Sequence, residues 1–249
     1  MRLLETQGLV KYFGDTHAVD HVDFAVAEAE VLALIGSNGA GKTTLVNVIS
    51  GLLRADKGTI IFNSVDVTAQ SVHDRIKAGI ARSFQLVNLF DQLSVLDNVA
   101  LSIFTRGDKT RKLMSLAELD RAVWQEALQV LYLFGLEAKA TMLAGGISQG
   151  ERKLLDVAVA YALRPKLLFL DEPTSGVSTR EKAPIMDIIT SIVRKERISA
   201  AIIEHDMDVV FNYSDRIVAM HGGAILADGP PDEIRRNEQV IANLLGAAP

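Results

Sequence analysis

Residues 31–44, VLALIGSNGAGKTT, limit what this chain can fold into more than any other stretch. VLALI carries no polar side chain on either face, as a parallel strand buried between helices requires. Gly36, Gly39 and Gly41 then leave the backbone bare, and Lys42, Thr43 and Thr44 lead into Leu45, Val48, Ile49 and Leu52, spaced for one face of a helix over about residues 41–52. Gly36-Ser37-Asn38-Gly39-Ala40-Gly41-Lys42-Thr43 also places two glycines five apart ahead of a lysine and a hydroxyl residue. Between a buried strand and a helix start, such a backbone turns its N–H groups inward around phosphate oxygens. The lysine reaches the outer phosphates and the threonine hydroxyl can ligate magnesium. The alternative is an ordinary glycine-rich turn, but with glycine near 7% of residues the pattern arises by accident in only about one chain of this length in a hundred. The expectation is a cradle for a nucleoside polyphosphate.

The surrounding sequence predicts an α/β fold. Short alternating runs in the first thirty residues, broken at Gly14 and Asp15, predict a small antiparallel sheet, and GTIIFNSVDV alternates in the same way. GIARSF, KLLFLDEP and ISAAIIEHD read as further strands, followed by a helix and a late hairpin, IVAMHGGAILADG. From about residue 86 to 164 the pattern turns helical: Leu119, Val123, Ala127, Val130, Leu131 and Phe134 recur at helical spacing, and ERKLLDVAVAYAL is a second amphipathic helix. Strands alternating with helices imply a mainly parallel sheet, with an N-terminal antiparallel β subdomain and an inserted helical one.

Composition narrows the function. A formal net charge of -5 and no long Lys/Arg run argue against nucleic acid as a partner. The absence of cysteine removes disulfides, thiolate metal sites and thiol nucleophiles, and fits a reducing cytoplasm. MRLLETQGLVKYF lacks the apolar core of a signal peptide. The apolar stretch from Leu154 to Leu170 is interrupted by Asp156, Arg164, Pro165 and Lys166, so no membrane span is expected and any membrane role must come through a partner. No regulatory domain is expected after Gly246–Pro249.

Leu167-Leu168-Phe169-Leu170-Asp171-Glu172 sets two carboxylates at the end of a buried strand. Ligands of open parallel sheets sit off the carboxyl ends of the strands, so this pair should face the same phosphates. Asp171 would hold magnesium, and Glu172 would orient or deprotonate the attacking water. Solvation of a strand end explains the same dipeptide without function. Ser148 and Glu151, in Ile147-Ser148-Gln149-Gly150-Glu151, form a capping box at the start of ERKLLDVAVAYAL, and a capped helix start with small residues is also an anion site.

With the glycine loop, the acidic strand and this Ile-Ser-Gln-Gly-Glu segment in place, the chain resembles the ATP-binding subunits of ABC transporters over essentially its whole length. The resemblance implies a P-loop NTPase core, roughly residues 1–85 and 165–249, and a helical subdomain, residues 86–164, in one nucleotide-binding domain. It implies ATP and Mg2+ as cofactors and hydrolysis of ATP. Ser148, Gln149, Gly150 and Glu151 stand in the place of the family's Leu-Ser-Gly-Gly-Gln signature, which closes on the γ-phosphate held by a second ATP-binding subunit in a head-to-tail dimer. Gln85 aligns with the loop glutamine that senses magnesium. His205 aligns with the switch histidine, and Phe13 with the aromatic that stacks on adenine, a contact worth roughly 1–3 kcal/mol per base. Tyr12 is a rival for that role, and a core aromatic is the bland alternative for Phe13.

The chain also departs from the family: Gln149 replaces a glycine, Glu151 a glutamine, and Ser178 an aspartate that crosses the dimer interface in many members. Lys42, Asp171, Glu172, Gln85 and His205 are all present, so an active ATPase is expected. ARSFQLVNLFDQLSVLDNV, IIEHDMDVVFNYSDRIVAM and above all ADGPPDEIRRNEQVIANLLG resemble the subunits of branched-chain amino acid importers and their relatives for amides and urea. That type implies a homo- or heteromeric partner ATPase, transmembrane permease subunits, indirectly a solute-binding protein, and a cytoplasmic, peripheral position on the inner face of the membrane. Alternatives at this point are a lipopolysaccharide-exporting ATPase, a soluble ABC ATPase of the cofactor-scaffold type, and a regulatory module that closes on ATP without useful turnover.

Overall fold

The computed structural model describes residues 1–83, 89–106 and 116–245. In chain order the strands are β1 (Arg2–Phe13), β2 (Thr16–Val22), β3 (Ala25–Ala27), β4 (Val31–Gly36), β5 (Lys57–Phe62), β6 (Val65–Asp66), β7 (Ile80–Arg82), β8 (Leu167–Asp171), β9 (Ser199–Ile203), β10 (Arg216–His221) and β11 (Ala224–Gly229). The main helices are α1 (Lys42–Ser50), α2 (Val72–Ala78), α3 (Val95–Arg106), α4 (Leu116–Leu133), α5 (Gln149–Tyr161), α6 (Thr179–Lys195), α7 (Met207–Tyr213) and α8 (Pro231–Arg236).

Two sheets stack on α1. The antiparallel sheet runs β2-β1-β5-β6, with β3 also paired to β1, and so extends beyond the first thirty residues to recruit the alternating segment that follows α1. The larger sheet runs β11-β10-β4-β9-β8-β7, parallel throughout except for β11 at its edge. Period-two alternation divides the central strand β4 between two faces. Leu32 and Leu34 pack with α1 residues and the antiparallel sheet, while Ala33 and Ile35 meet α7 and α8. A third cluster joins Leu168 and Leu170 of β8 to the buried sides of α3, α4, α5 and α6. Val123, Ala127, Val130, Leu131 and Phe134 are buried in it, as their helical spacing predicts; the side chain of Leu119 lies outside the described residues.

Helix α1 is shorter than its apolar spacing suggests. It stops at Ser50 because Gly51 turns left-handed at φ +85° and returns its N–H to the Val48 carbonyl, a standard glycine stop. Leu52 falls beyond that stop and is 47% exposed, so it does not belong to the buried face with Leu45, Val48 and Ile49.

The strand order positions the site. β9 lies between β4 and β8, and Ile203 pairs with Leu34 on one side and Asp171 on the other. β8 and β9 therefore end level and β4 ends two residues beyond them, so the segments leaving the three parallel strands, 37–41, 172–178 and 204–206, emerge side by side at the carboxyl edge of the sheet. Among the described residues no helix is long and apolar enough to cross a membrane.

Candidate active site

The loop from Gly36 to Gly41 is shaped by what surrounds it. A Cβ at Gly36 would stand 2.5 Å from the Met220 carbonyl oxygen, and one at Gly41 would stand 2.2 Å from that of Ala18. Gly41 also has φ +101°, which side-chain-bearing residues avoid. Gly223, in the β10–β11 turn, donates its N–H to the Ala40 carbonyl at 3.1 Å, and its own carbonyl accepts from Asp20 N–H at 2.9 Å. The loop is thus clamped between β2 and the last hairpin. Lys42 is 6% exposed, and its Nζ donates to the carbonyls of Gly36 at 2.6 Å and Ser37 at 3.1 Å. Burial pulls the Lys42 pKa down, against the opposing charges of Glu172 and Asp171. Both carboxylates are therefore near enough to act on the ammonium group.

Asp171 ends β8 and is 3% exposed. Its carboxylate accepts from the Arg82 guanidinium, whose other terminal nitrogen donates to Asn47 Oδ1 on α1. Asp171 is thereby held between the edge strand β7 and the helix that follows the loop. Glu172 has left-handed backbone at φ +48°, a conformation that disfavours a side chain by roughly 1–2 kcal/mol. The strain is opposed by tertiary bonds: Glu172 N–H donates to the Ile203 carbonyl at 2.9 Å. Glu172 Oε1 lies 3.1 Å from His205 Nε2. An open cleft of about 300 Å³ is lined by residues 38–44, Ala18, Glu172 and His205. Asn38, Gly39, Ala40, Gly41, Lys42, Thr43, Thr44, Glu172 and His205 are thus brought together, with Asp171 buried behind them.

Three supports of this cleft escape the sequence reading. Glu204, 4% exposed, accepts from Thr174 N–H at 3.1 Å and Thr174 Oγ1 at 2.6 Å, while its other oxygen accepts from His205 N–H at 3.2 Å. It ties the segment carrying Glu172 to the one carrying His205. Arg82 holds Asp171, and Lys153, 3% exposed on α5, reaches the Glu172 carbonyl. Each has the same faint signal, a charge inside an otherwise apolar run or stripe: AAIIE, GIAR, and Lys153 in register with Val157 and Ala160.

Other expected site residues lie apart. Gln85 lies outside the described residues. Phe13 ends β1 at the tip of its hairpin with β2 and is 50% exposed, so it is no core aromatic, yet it does not line the cleft. Tyr12 packs edge-on against His17 at 4.5 Å. Ser148 to Glu151 open α5 and also lie outside the lining. The capping box is formed: Ser148 Oγ accepts from Glu151 N–H at 3.3 Å and Ser148 N–H donates to Glu151 Oε2 at 2.8 Å. That amide, first among its partners, holds the Glu151 carboxyl below the usual carboxylate range. Ser148→Ala should cost about 1 kcal/mol and lower the thermal midpoint by roughly 2–4 °C, readable by calorimetry. Gln149 extends over Gly176, its Nε2 3.6 Å from where a Cβ would stand there. Ser178 caps α6, its hydroxyl donating to Glu181 Oε2 at 2.6 Å.

As for metal, no cluster of three or more His, Cys, Asp or Glu side chains suited to an ion occurs among the described residues. What is available is oxygen: the Thr43 hydroxyl in the cleft lining, and the buried Asp171 carboxylate, which also accepts from Arg82. That sparse, hard donor set suits magnesium, which keeps waters and phosphates as most of its ligands.

The sequence pattern of the ABC transporter family matches residues 19–175. The chain belongs to the ABC transporter ATP-binding family. A second pattern, that of the branched-chain amino acid ATP-binding cassette transporter, matches residues 224–247 of this ABC subunit, the segment from β11 onwards. It is 33% identical over 252 residues to the high-affinity branched-chain amino acid transport ATP-binding protein BraF of Pseudomonas aeruginosa, covering 99% of this chain and 98% of that one. To the protein LivG of the same description from Salmonella typhimurium it is 34% identical over 258 residues, with the same coverage. The crystal structure of the ADP conformation of MJ1267, an ATP-binding cassette of an ABC transporter, superposes with a TM-score of 0.86 at 30% identity, over 99% of this chain and 100% of that one. The chain is an ATPase subunit of the transporter family with the P-loop ATPase fold.

Proposed function

We propose that this ABC subunit binds Mg-ATP in the cleft above Lys42, hydrolyses it with Glu172 as general base, and so drives an importer of branched-chain amino acids. The observation that carries the chemistry is the convergence on one cleft of the Lys42 loop and the Glu172–His205 pair at 3.1 Å. In this reading the loop amides from Asn38 to Thr44 cradle the phosphates, and Lys42 exchanges its loop carbonyls for phosphate oxygens. Magnesium, held by Thr43 and Asp171, would neutralise phosphate charge, and Gln85 would take the magnesium-sensing role that the family resemblance implies. Glu172 takes the proton of the attacking water, and His205 keeps the carboxylate aimed while contacting the outer phosphate. Phe13 stacks on adenine.

The chain acts as one nucleotide-binding domain, with residues 86–164 as the helical subdomain that moves against the core. Two such subunits, identical or homologous, close head-to-tail, so that Ser148, Gln149, Gly150 and Glu151 of one cap the nucleotide of the other. Permease subunits dock on the helical segment, placing the pair on the cytoplasmic face of the membrane, and a solute-binding protein supplies the amino acid. The match of residues 224–247 and the full-length similarity to two branched-chain amino acid transport subunits support this substrate class.

Purification of the tagged subunit from its native membranes in mild detergent should bring down hydrophobic permease chains, and deleting its gene should abolish uptake of labelled leucine, isoleucine and valine. Normal uptake in the deletion strain would remove the substrate assignment. Recovery of only soluble partners would remove the importer.

A further inference from the structure

Glu172 needs its backbone held, because its φ of +48° is one that a side chain disfavours. Its side-chain direction is set by the two peptide planes that meet at its Cα. The plane before it is anchored by the Glu172 N–H bond to the Ile203 carbonyl at 2.9 Å. The plane after it leads into Pro173, which has no N–H, so that plane can be gripped only through the Glu172 carbonyl.

That carbonyl accepts twice. One donor is local, Ser175 N–H at 3.1 Å. The other comes from a different element: Lys153 Nζ on α5, at 3.0 Å, which also donates to Ser175 Oγ at 2.8 Å. Lys153 is 3% exposed. A lysine is rarely buried so deeply, and both of these acceptors are neutral oxygens of the segment that carries Glu172. Gly150, one turn earlier on α5, packs closely enough against α6 that a Cβ there would stand 3.3 Å from Ile185 Cδ1, so the helix is itself firmly seated.

We infer that Lys153 is a positioning residue for ATP hydrolysis: from α5 its buried ammonium fixes the Glu172–Pro173 peptide plane and thereby aims the Glu172 carboxylate into the cleft. This rests on the proposed role of Glu172. Lys153 touches no residue of the phosphate loop and reaches the cleft lining only through the backbone carbonyl of Glu172, so its loss should leave nucleotide binding alone and slow turnover.

The test compares the full-length chain with Lys153→Met, Lys153→Arg, Glu172→Gln and the Lys153→Met/Glu172→Gln pair, measuring kcat and KM for ATP and the affinity for a fluorescent nucleotide. Lys153→Met should lower kcat about tenfold or more, as misplacement of a reacting group by about 1 Å can, with KM and affinity within about twofold. Lys153→Arg, which keeps the charge and the donors, should recover most of the loss. The double variant should be no slower than Glu172→Gln alone, since the lysine acts through that carboxylate. Lys153→Gln, which retains a donor without burying a charge, serves in the same comparison if the methionine variant fails to fold. Normal kcat in Lys153→Met beside a slow Glu172→Gln would overturn this inference alone. Normal kcat in Glu172→Gln would overturn the Glu172 assignment and the inference with it. Equal losses of affinity and turnover in Lys153→Met would make the lysine a structural residue only.

Discussion

Glu172→Gln should lower kcat for ATP hydrolysis by about 100-fold or more, the lower end of what a positioned general base contributes, while nucleotide affinity stays the same or rises. Glutamine has the size of glutamate and can keep the contact to His205 Nε2 at 3.1 Å, so the cleft retains its shape. What it lacks is the ability to take a proton. Binding is expected to survive because the phosphate cradle is made of backbone from Asn38 to Thr44 and the Lys42 ammonium, none of which changes. Affinity can rise because Glu172 adds negative charge beside that ammonium, and charge of that sign repels a triphosphate. With hydrolysis blocked, the ATP-bound closed pair should accumulate and be visible by size-exclusion chromatography with ATP and magnesium. A variant that turns over ATP at the normal rate would show that another group accepts the proton.

The sequence made these cleft-lining residues legible because each lies next to a strand end that the hydrophobic pattern marks. Lys42 follows VLALI and a run of glycines, and Glu172 and His205 follow LLFLD and SAAII. Once those strands lie parallel and side by side, their loops must meet, so fold and cleft come from the same pattern. The residues that hold those loops in place are legible only through tertiary contacts. Arg82 is separated by 89 positions from Asp171, and Glu204 by 30 from Thr174, distances over which no periodic signal speaks. Helix α6 was hidden for a different reason. Its first turns are polar and Pro184 lies within it, so local propensity argues for a break, yet Ile185, Met186, Ile189 and Val193 bury a stripe that tertiary packing holds helical. The same override, in reverse, ends α1 before Leu52: apolar spacing asked for another half-turn, and Gly51 in a left-handed conformation refused it.

Lys42→Ala should act on the opposite step, weakening ATP affinity by about 10- to 100-fold, as the loss of one or more hydrogen bonds from a charged donor does at about 1.5–3 kcal/mol each. The ammonium donates to two loop carbonyls, Gly36 at 2.6 Å and Ser37 at 3.1 Å, and burial already pulls its pKa down. Two neutral carbonyls and the charges of Glu172 and Asp171 only partly offset the desolvation of this cation, and phosphate oxygens bonded to it directly would satisfy it better; that difference is the driving force that alanine removes. Alanine also deprives two carbonyls of their donor, so part of the effect could arise from a loosened loop. Lys42→Met separates the two contributions, since it keeps the aliphatic stem and loses only the charge. If charge on phosphate is what matters, both variants lose affinity equally in calorimetric titration with ATP, and their thermal midpoints without nucleotide stay close to each other. Unchanged affinity in Lys42→Met would mean that the amides alone hold the triphosphate, and the electrostatic half of the cradle would have to be abandoned.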